Sequence, residues 1–381
     1  MNATERIRFG LVRLIASPRS PLYHPRVVQL LLPRDFNEDA YLYLHADVQG
    51  SSMSGSQHFV LHGRAEGRNY CQVFSETPLL MNPIAGVNLT GYHVAENLED
   101  HDSPLSHFLL AGQPSGSWTL PRVHRRKVGP VTIHPFTVVH FHCFHFELLE
   151  EFLGFAENVA VKDTNQLVVT HSDPAMGAQI SRRLDEIEGN HQTVLVENKG
   201  RNFGALLELL DSREFAHIDL WAHFHSKASA HLPAALSRQW RQFIYRSMFG
   251  DEAGRATFDD IAFELFMNED LGIVYPDDPH EFGWGDNGDI ASQMSIALGF
   301  EFDETPPKFP VGAMFFGRRA FLEELFHRTA KFTSAVAEPL EKDGTAWHAF
   351  ERFLGVAPNH LGFRFSTVRG EATSYAWLRS S

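Results

Sequence analysis

Two stretches, Asn198-Lys199-Gly200-Arg201-Asn202 and His223-Phe224-His225-Ser226-Lys227, carry the residue types that handle a phosphorylated ligand. Gly200 allows a positive φ and lets a backbone approach a ligand closely. A helix expected from about Phe203 to Leu210 offers free N–H groups to an anion. His223, His225, Ser226 and Lys227 come at the end of a β-rich run, Ile218 to Phe224. That is where open α/β sheets bind ligands, outside the carboxyl ends of their strands. A lysine can neutralise a diphosphate without metal, and histidines can bind either phosphate or a divalent ion. A metal-free site and one using Mg2+ or Mn2+ both stand at this stage, with no metal ligand assigned.

Other groups admit chemistry beside a plainer role. Asp277-Asp278 is a carboxylate pair after an apolar strand, either a metal site or, more simply, a solvated turn. The loop Gly283-Trp284-Gly285-Asp286-Asn287 offers an aromatic platform and an amide to a sugar ring, or Trp284 is plain packing. His140-Phe141-His142-Cys143-Phe144-His145 supports a rival class, a zinc-dependent hydrolase using metal-activated water. His140 and His142 share one strand face, but no later His/Asp set at strand ends completes that site.

The elements that must position these groups read as strands alternating with helices. Thr137–Phe141, Leu167–Thr170, Val194–Val196, Ile218–Phe224 and Gly272–Tyr275 are strands, and Glu147–Phe155, a segment opened by Pro174, and Phe203–Leu210 are helices. This spacing predicts an α/β domain with a mainly parallel sheet and helices on both faces. The domain spans 132–381. Before it come a basic arm (1–34), a small α-helical module (35–120) and a polar linker (121–131). The arm sets Arg6, Arg8, Arg13, Arg19, Arg26 and Arg34 against one acid, Glu5. It suits peripheral contact with an anionic membrane surface or docking on the protein's own acidic body, with Pro18, Pro21 and Pro25 ending its helix. The module repeats at a constant offset of 49, His58-Phe59 against His107-Phe108 and Gly67 against Gly116. Each copy reads as short helices closed by a glycine, with His58 and His107 expected to cap a neighbouring helix.

Composition narrows the function classes. The chain has 381 residues, 43% hydrophobic and 21% charged, which is an ordinary globular balance. A formal net charge of −14 argues against nucleic acid as a partner. Cys71 and Cys143 make no disulfide framework or zinc set by themselves, no apolar run is long enough to span a bilayer, and no secretory leader is evident. The expectation is a cytoplasmic protein, in peripheral contact with the inner membrane if the arm binds lipid.

Asn198-Lys199-Gly200-Arg201-Asn202 and His225-Ser226-Lys227-Ala228-Ser229 resemble the "N-x-G-R-D" and "H-x-K-x-S" signatures of the rhamnan synthesis F family, bacterial glycosyltransferase-like proteins of surface-polysaccharide assembly. LGIVYP, Trp284-x-x-Asn287, FPVGAMFFGRRAFLEEL and EPLEKDGTAWHAFERFLG look like its later blocks in the same order, so the resemblance covers about 132–365. One departure stands out: Asn202 takes the place of the usual Asp, so no contact made by that Asp carries over. The first module copy, YLYLHADV then HFVLHGRAEGR, is similar to repeats attached to such enzymes. The resemblance implies a nucleotide-diphosphate-sugar (A-type glycosyltransferase-like) fold that moves a sugar, rhamnose by the family's description, from a nucleotide-sugar donor to a lipid-linked glycan or growing polysaccharide. It places Asn198, Gly200, Arg201, Asn202, His223, His225, Ser226, Lys227, Trp284 and Asn287 around the donor. In that fold a carboxylate at the start of a late helix often serves as base, which points to Asp343, then Glu338, with Glu341 and Asp286 behind them; an N-cap is the plainer role for Asp343. A non-catalytic glycan-binding or scaffold relative is the alternative, with Asn202 as its mark.

Overall fold

In the computed structural model, residues 25–71, 80–99, 102–123, 135–160, 165–227, 233–250, 257–338, 340–341 and 343–370 are described. The chain divides into two compact units, Met1–Thr119 and Leu120–Thr373. The arm's arginines Arg6, Arg8, Arg13 and Arg19, and the motif residues Ala228 and Ser229, lie outside the described residues.

The first unit is helical: α1 (Pro25–Leu31), α2 (Glu38–Leu44), α3 (Gly55–His58, continued by a π turn to Gly63), α4 (Leu89–Ala95) and α5 (Pro104–Leu110). Pro25 opens α1, where a first-turn N–H has no intrahelical partner to lose, and the arm helix it was expected to end lies outside the described residues. Asn37 and Asn88 cap α2 and α4, and Ser54 and Ser103 cap α3 and α5, each accepting a first-turn N–H. The caps thus run Asn then Ser in both halves. Tyr41 and Tyr92 are fully buried, so each hydroxyl needs a partner. Tyr41 meets Nδ1 of His58 at 2.9 Å and Tyr92 meets Nδ1 of His107 at 2.7 Å. The two histidines therefore serve buried tyrosines and cap no helix, contrary to the sequence expectation. Gly112, at a φ of 78°, closes α5 with the N–H of Gln113 on the carbonyl of Phe108.

The second unit is mixed α/β. Its elements are β1 (Thr137–His142), α6 (Leu149–Ala160), β2 (Asn165–His171), α7 (Pro174–Leu184), β3 (His191–Leu195), α8 (Arg201–Asp211), β4 (Leu220–His225), α9 (Ala234–Phe249), α10 (Thr257–Met267), β5 (Leu271–Pro276), α11 (Gly288–Leu298), β6 (Phe315–Arg318), α12 (Arg319–Thr333), α13 (Ala346–Val356) and β7 (Arg364–Val368). They build a seven-stranded sheet in the order β3-β2-β1-β4-β6-β5-β7. All neighbours are parallel except β6, which runs against both β4 and β5. Strand β7 has no counterpart in the sequence reading. Its Thr367 accepts from Val123 and donates to Pro121, so the first residues of the expected linker run along that edge.

Period-two alternation decides what each face carries. Phe141 and Phe224 point to the side of α6 and α9, where Phe141 stacks on Phe152 at 4.2 Å and Phe224 on Phe249 at 4.8 Å. Val138, Val168 and Trp221 point the other way, into a core shared with α8, α11, α12 and α13. On that same face, in the next positions along the strands, stand His140 and His142 beside His223 and His225 in direct register.

Candidate functional site

The carboxyl ends of β1 and β4 and the start of α8 open on a cavity of about 890 Å3. Six of the residues expected around the donor line it, Asn198, Arg201, Asn202, His225, Ser226 and Lys227, together with Glu338, one of the carboxylates expected as base. Residues 225–227 reach it because β4 ends there. Ser226 accepts from the N–H groups of Phe144 and His145, at 2.7 and 2.9 Å, which ties the loop after β1 to the end of β4. Lys227 is held from behind: Arg241 of α9 donates to its carbonyl and pairs with Glu151 at 2.7 Å. The Lys227 ammonium lies 4.9 Å from the centre of the Trp240 ring, a cation–π contact. Burial pulls its pKa below the ordinary lysine value, while Glu351 acts against that pull.

Gly200 precedes α8 at a φ of 69°, and a side chain there would press on Trp347, whose nearest atom is 2.9 Å from the Cβ position. The Gly200 N–H donates to Glu338 at 2.8 Å, which brings that carboxylate to the mouth of the cavity. No side chain caps α8, and the Gly200 carbonyl accepts from Gly204, so the helix start faces the cavity with its first-turn N–H groups uncapped. Arg201 donates to Nε2 of His348 at 2.9 Å and to the Glu341 carbonyl at 2.7 Å. Since arginine only donates, the other nitrogen of His348 carries the hydrogen that meets Thr345, 2.9 Å away.

The histidines are kept neutral. Burial, reinforced by neighbouring histidines, holds His140 and His223 far below the usual imidazole value. Burial and His171 bring His142 to about 4, and burial and Lys227 bring His225 to about 3. His225 donates Nε2–H to the Gly312 carbonyl at 2.7 Å. His140 has both nitrogens engaged, with His223 at 3.0 Å and Thr170 at 2.9 Å. The zinc-hydrolase reading thereby loses its first ligand: His140, with both ring nitrogens engaged by His223 and Thr170, has no lone pair free for a metal. Among the described residues no cluster of three His, Cys, Asp or Glu groups could hold a metal ion.

Several expected site residues lie elsewhere. His223 sits beneath the cavity wall, fully buried. Trp284 is a core residue and no sugar platform: it packs on Phe302 and Phe353, and its Nε1–H is taken by the carbonyls of Asp303 and Thr305. Asn287 is fully buried, donates to the Trp284 carbonyl and to Asp343, and accepts from Gly344. Asp343 does not cap α13, whose N-cap is Thr345, and it lies outside the residues that line the cavity. Its burial would raise its pKa, but the Asn287 hydrogen bond and Arg352 hold it below the ordinary value. Asp277 and Asp278 form no solvated turn. Both are buried, Asp277 beside Arg369 at 3.4 Å and Asp278 bound to His280 and Trp240.

Sequence reasoning read His142 only as a zinc ligand and missed the wall it forms with Trp347, His348 and Glu351. The last three come from one face of α13, and their spacing of one turn was the available signal.

The chain belongs to the rhamnan synthesis protein F family, whose model matches residues 96–362. The match starts before the motif blocks near residue 132 and takes in α5 of the first unit. Two relatives, each named uncharacterized protein WxcX, come from strains B100 and ATCC 33913 of Xanthomonas campestris pv. campestris and are 24% identical. The aligned part is 61% of this chain and 33% of either relative, so the chain spans about a third of their length. Among solved structures, the mannosyltransferase PcManGT of Pyrobaculum calidifontis, in complex with GDP-Man and Mn2+, aligns over 76% of this chain and 70% of its own at 13% identity. The TM-score is 0.34, a loose likeness.

Proposed function

We propose that this member of the rhamnan synthesis protein F family is a glycosyltransferase whose cavity binds a nucleotide-sugar by its diphosphate. One observation carries the reading: a half-buried lysine, Lys227, and the uncapped start of α8 converge on a single cavity with Arg201. Fixed positive charge and oriented N–H groups in a desolvated site are what a departing diphosphate needs. The sugar, rhamnose on the strength of the family's name, passes to a surface polysaccharide or a lipid-linked glycan. The acceptor oxygen forms the new bond to the anomeric carbon as the bond to phosphate breaks. The nucleoside diphosphate leaves with the electron pair, and Glu338 takes the acceptor proton. Glu338 is the better base because it lines the cavity and Asp343 does not. Among the described residues no three His, Cys, Asp or Glu groups are gathered to hold a metal ion, and no step is assigned to one.

No helix among the described residues is long and apolar enough to cross a membrane, and contact with one would rest on the arm. The test is a thermal-shift screen of nucleoside diphosphates and nucleotide-sugars with and without Mg2+ and Mn2+, repeated on Lys227→Ala. A true ligand at a hundred times its Kd raises stability by about 2.7 kcal/mol. Lys227→Ala should keep the unliganded melting temperature and weaken binding about 10- to 100-fold, the effect of one charged hydrogen bond. Unchanged affinity in the folded variant defeats the reading, and binding without any turnover returns the protein to a glycan-binding relative.

A further inference from the structure

On the α8 side of the sheet, five side chains from four elements make one hydrogen-bonded chain. Asn202 Nδ2 meets His223 Nε2 at 3.1 Å, and His223 Nδ1 meets His140 Nδ1 at 3.0 Å. His140 Nε2 then meets the Thr170 hydroxyl at 2.9 Å, and the same hydroxyl meets His142 Nδ1 at 2.9 Å. The three middle groups are completely buried, and both ends, Asn202 and His142, line the cavity.

A neutral imidazole has one N–H and one lone pair, and a hydroxyl has a single hydrogen. Burial keeps these histidines neutral. Thr170 is fully buried and its hydroxyl meets one nitrogen of each neighbour; accepting from both would leave its own hydrogen unanswered inside the protein, so it accepts from one and donates to the other. Fixing the proton at any single contact therefore fixes it at all of them, and only two orders exist. If Asn202 donates, His223 is protonated on Nδ1, His140 on Nε2, and Thr170 donates to Nδ1 of His142. His142 then carries its hydrogen on Nε2. If Asn202 accepts, all three imidazoles invert, and Nε2 of His142 is a bare lone pair.

The amide nitrogen of Asn202 is the atom turned to His223. This leaves its carbonyl oxygen for a cavity that holds the cations Arg201 and Lys227, the favourable sense for that dipole. We propose that Asn202 is a positioning residue: its amide sets the proton order of the chain so that His142 offers its Nε2 hydrogen to a phosphate oxygen. The inference rests on the preceding reading only in naming a phosphate as the group His142 meets. In the donating order His142 is neither a general base nor a metal ligand, and it adds a donor to the cavity that Arg201 and Lys227 also line.

The order is read directly by 15N NMR of the unliganded full chain with labelled histidine, assigned through His142→Gln, His140→Gln and His223→Gln. The unsubstituted protein should show His142 and His140 protonated on Nε2 and His223 on Nδ1. In Asn202→Asp, whose carboxylate can only accept, all three should invert. In Asn202→Asp combined with Thr170→Val the chain is cut, and the aspartate should no longer alter His142. The inference is overturned if the unsubstituted protein shows the opposite order, which can be seen even if no variant folds. It is equally overturned if Asn202→Asp makes His223 an imidazolium while His142 stays as it was. No nucleotide is present, so failure here is distinct from failure to bind a donor.

Discussion

The strand ends at His142 and His225 and the turn at Trp284–Asn287 are both polar, aromatic and largely buried, yet they use hydrogen bonds in opposite ways. In the turn the polar atoms of the two buried side chains, Trp284 and Asn287, are answered inside the protein. Trp284 donates to two carbonyls, and Asn287 donates twice and accepts from Gly344. At the strand ends the bonds lead outward: Ser226 ties a loop, Asn202 and His142 end a buried chain, and Lys227, its ammonium over the Trp240 ring, lines the cavity. A buried polar group whose capacity is filled from all sides is architecture, whereas one left with capacity at a cavity wall is available to a ligand.

The sharpest way to break this contrast is turnover, because each region holds a carboxylate. Glu338→Gln should lower turnover by roughly two to four orders of magnitude, as for a lost general base. Asp343→Asn should leave it close to the unsubstituted rate. The reverse outcome in a sugar-transfer assay would move the base to the Trp284 side.

Stability gives the next largest separation. Trp284→Ala should destabilise the second unit by roughly 3–5 kcal/mol, the cost of emptying an aromatic core position, whereas Lys227→Ala should change its denaturation midpoint little. If Trp284→Ala left stability intact and abolished nucleotide binding, the ring would belong to a ligand after all.

Acid should weaken the strand-end region. His142 ionises near 6.5 when unfolded and near 4 when folded. Between those values the unfolded chain binds the extra proton, so stability falls as pH drops from about 6.5 to 4 and levels off below. At about 1.4 kcal/mol per pH unit, His142 alone contributes roughly 3 kcal/mol across that window. Urea melts at pH 7, 6 and 5 should show the loss, and a flat profile would mean that the imidazoles are charged in the fold.

The smallest effect belongs to Asn287→Ala. It removes three hydrogen bonds from a buried turn and should cost roughly 1–3 kcal/mol, with nucleotide affinity unchanged. A weakened affinity would join the two regions functionally.

Much of the site was legible in the chain because it depends on local grammar. Alternating strands and helices predict the mostly parallel sheet, and the lysine after an apolar strand and the glycine-led start of α8 come to one cavity. The H-F-H triplets on β1 and β4 were visible as period-two patterns. That His140 stands opposite His223 was not, since lateral register is written nowhere in one strand. The α13 wall escaped for a related reason: His348 meets Arg201 across 147 positions of sequence. Trp284 and the Asp277-Asp278 pair misled because composition cannot distinguish an exposed loop from one closed over by distant partners such as Phe353 and Arg369.

The antiparallel β6 has a consequence for synthesis. It lies between β4 and β5 although the ribosome makes it after both. Translation at roughly 5–20 residues per second leaves the Leu220–His223 edge of β4 without its partner for about 5–20 s. Until then β5 can join neither of its neighbours, because β7 emerges later still. An unpaired, apolar strand edge is a template for wrong pairing. Nascent chains that stall before Phe315 should therefore depend on a holding chaperone and aggregate without one, and those released after Val368 should not.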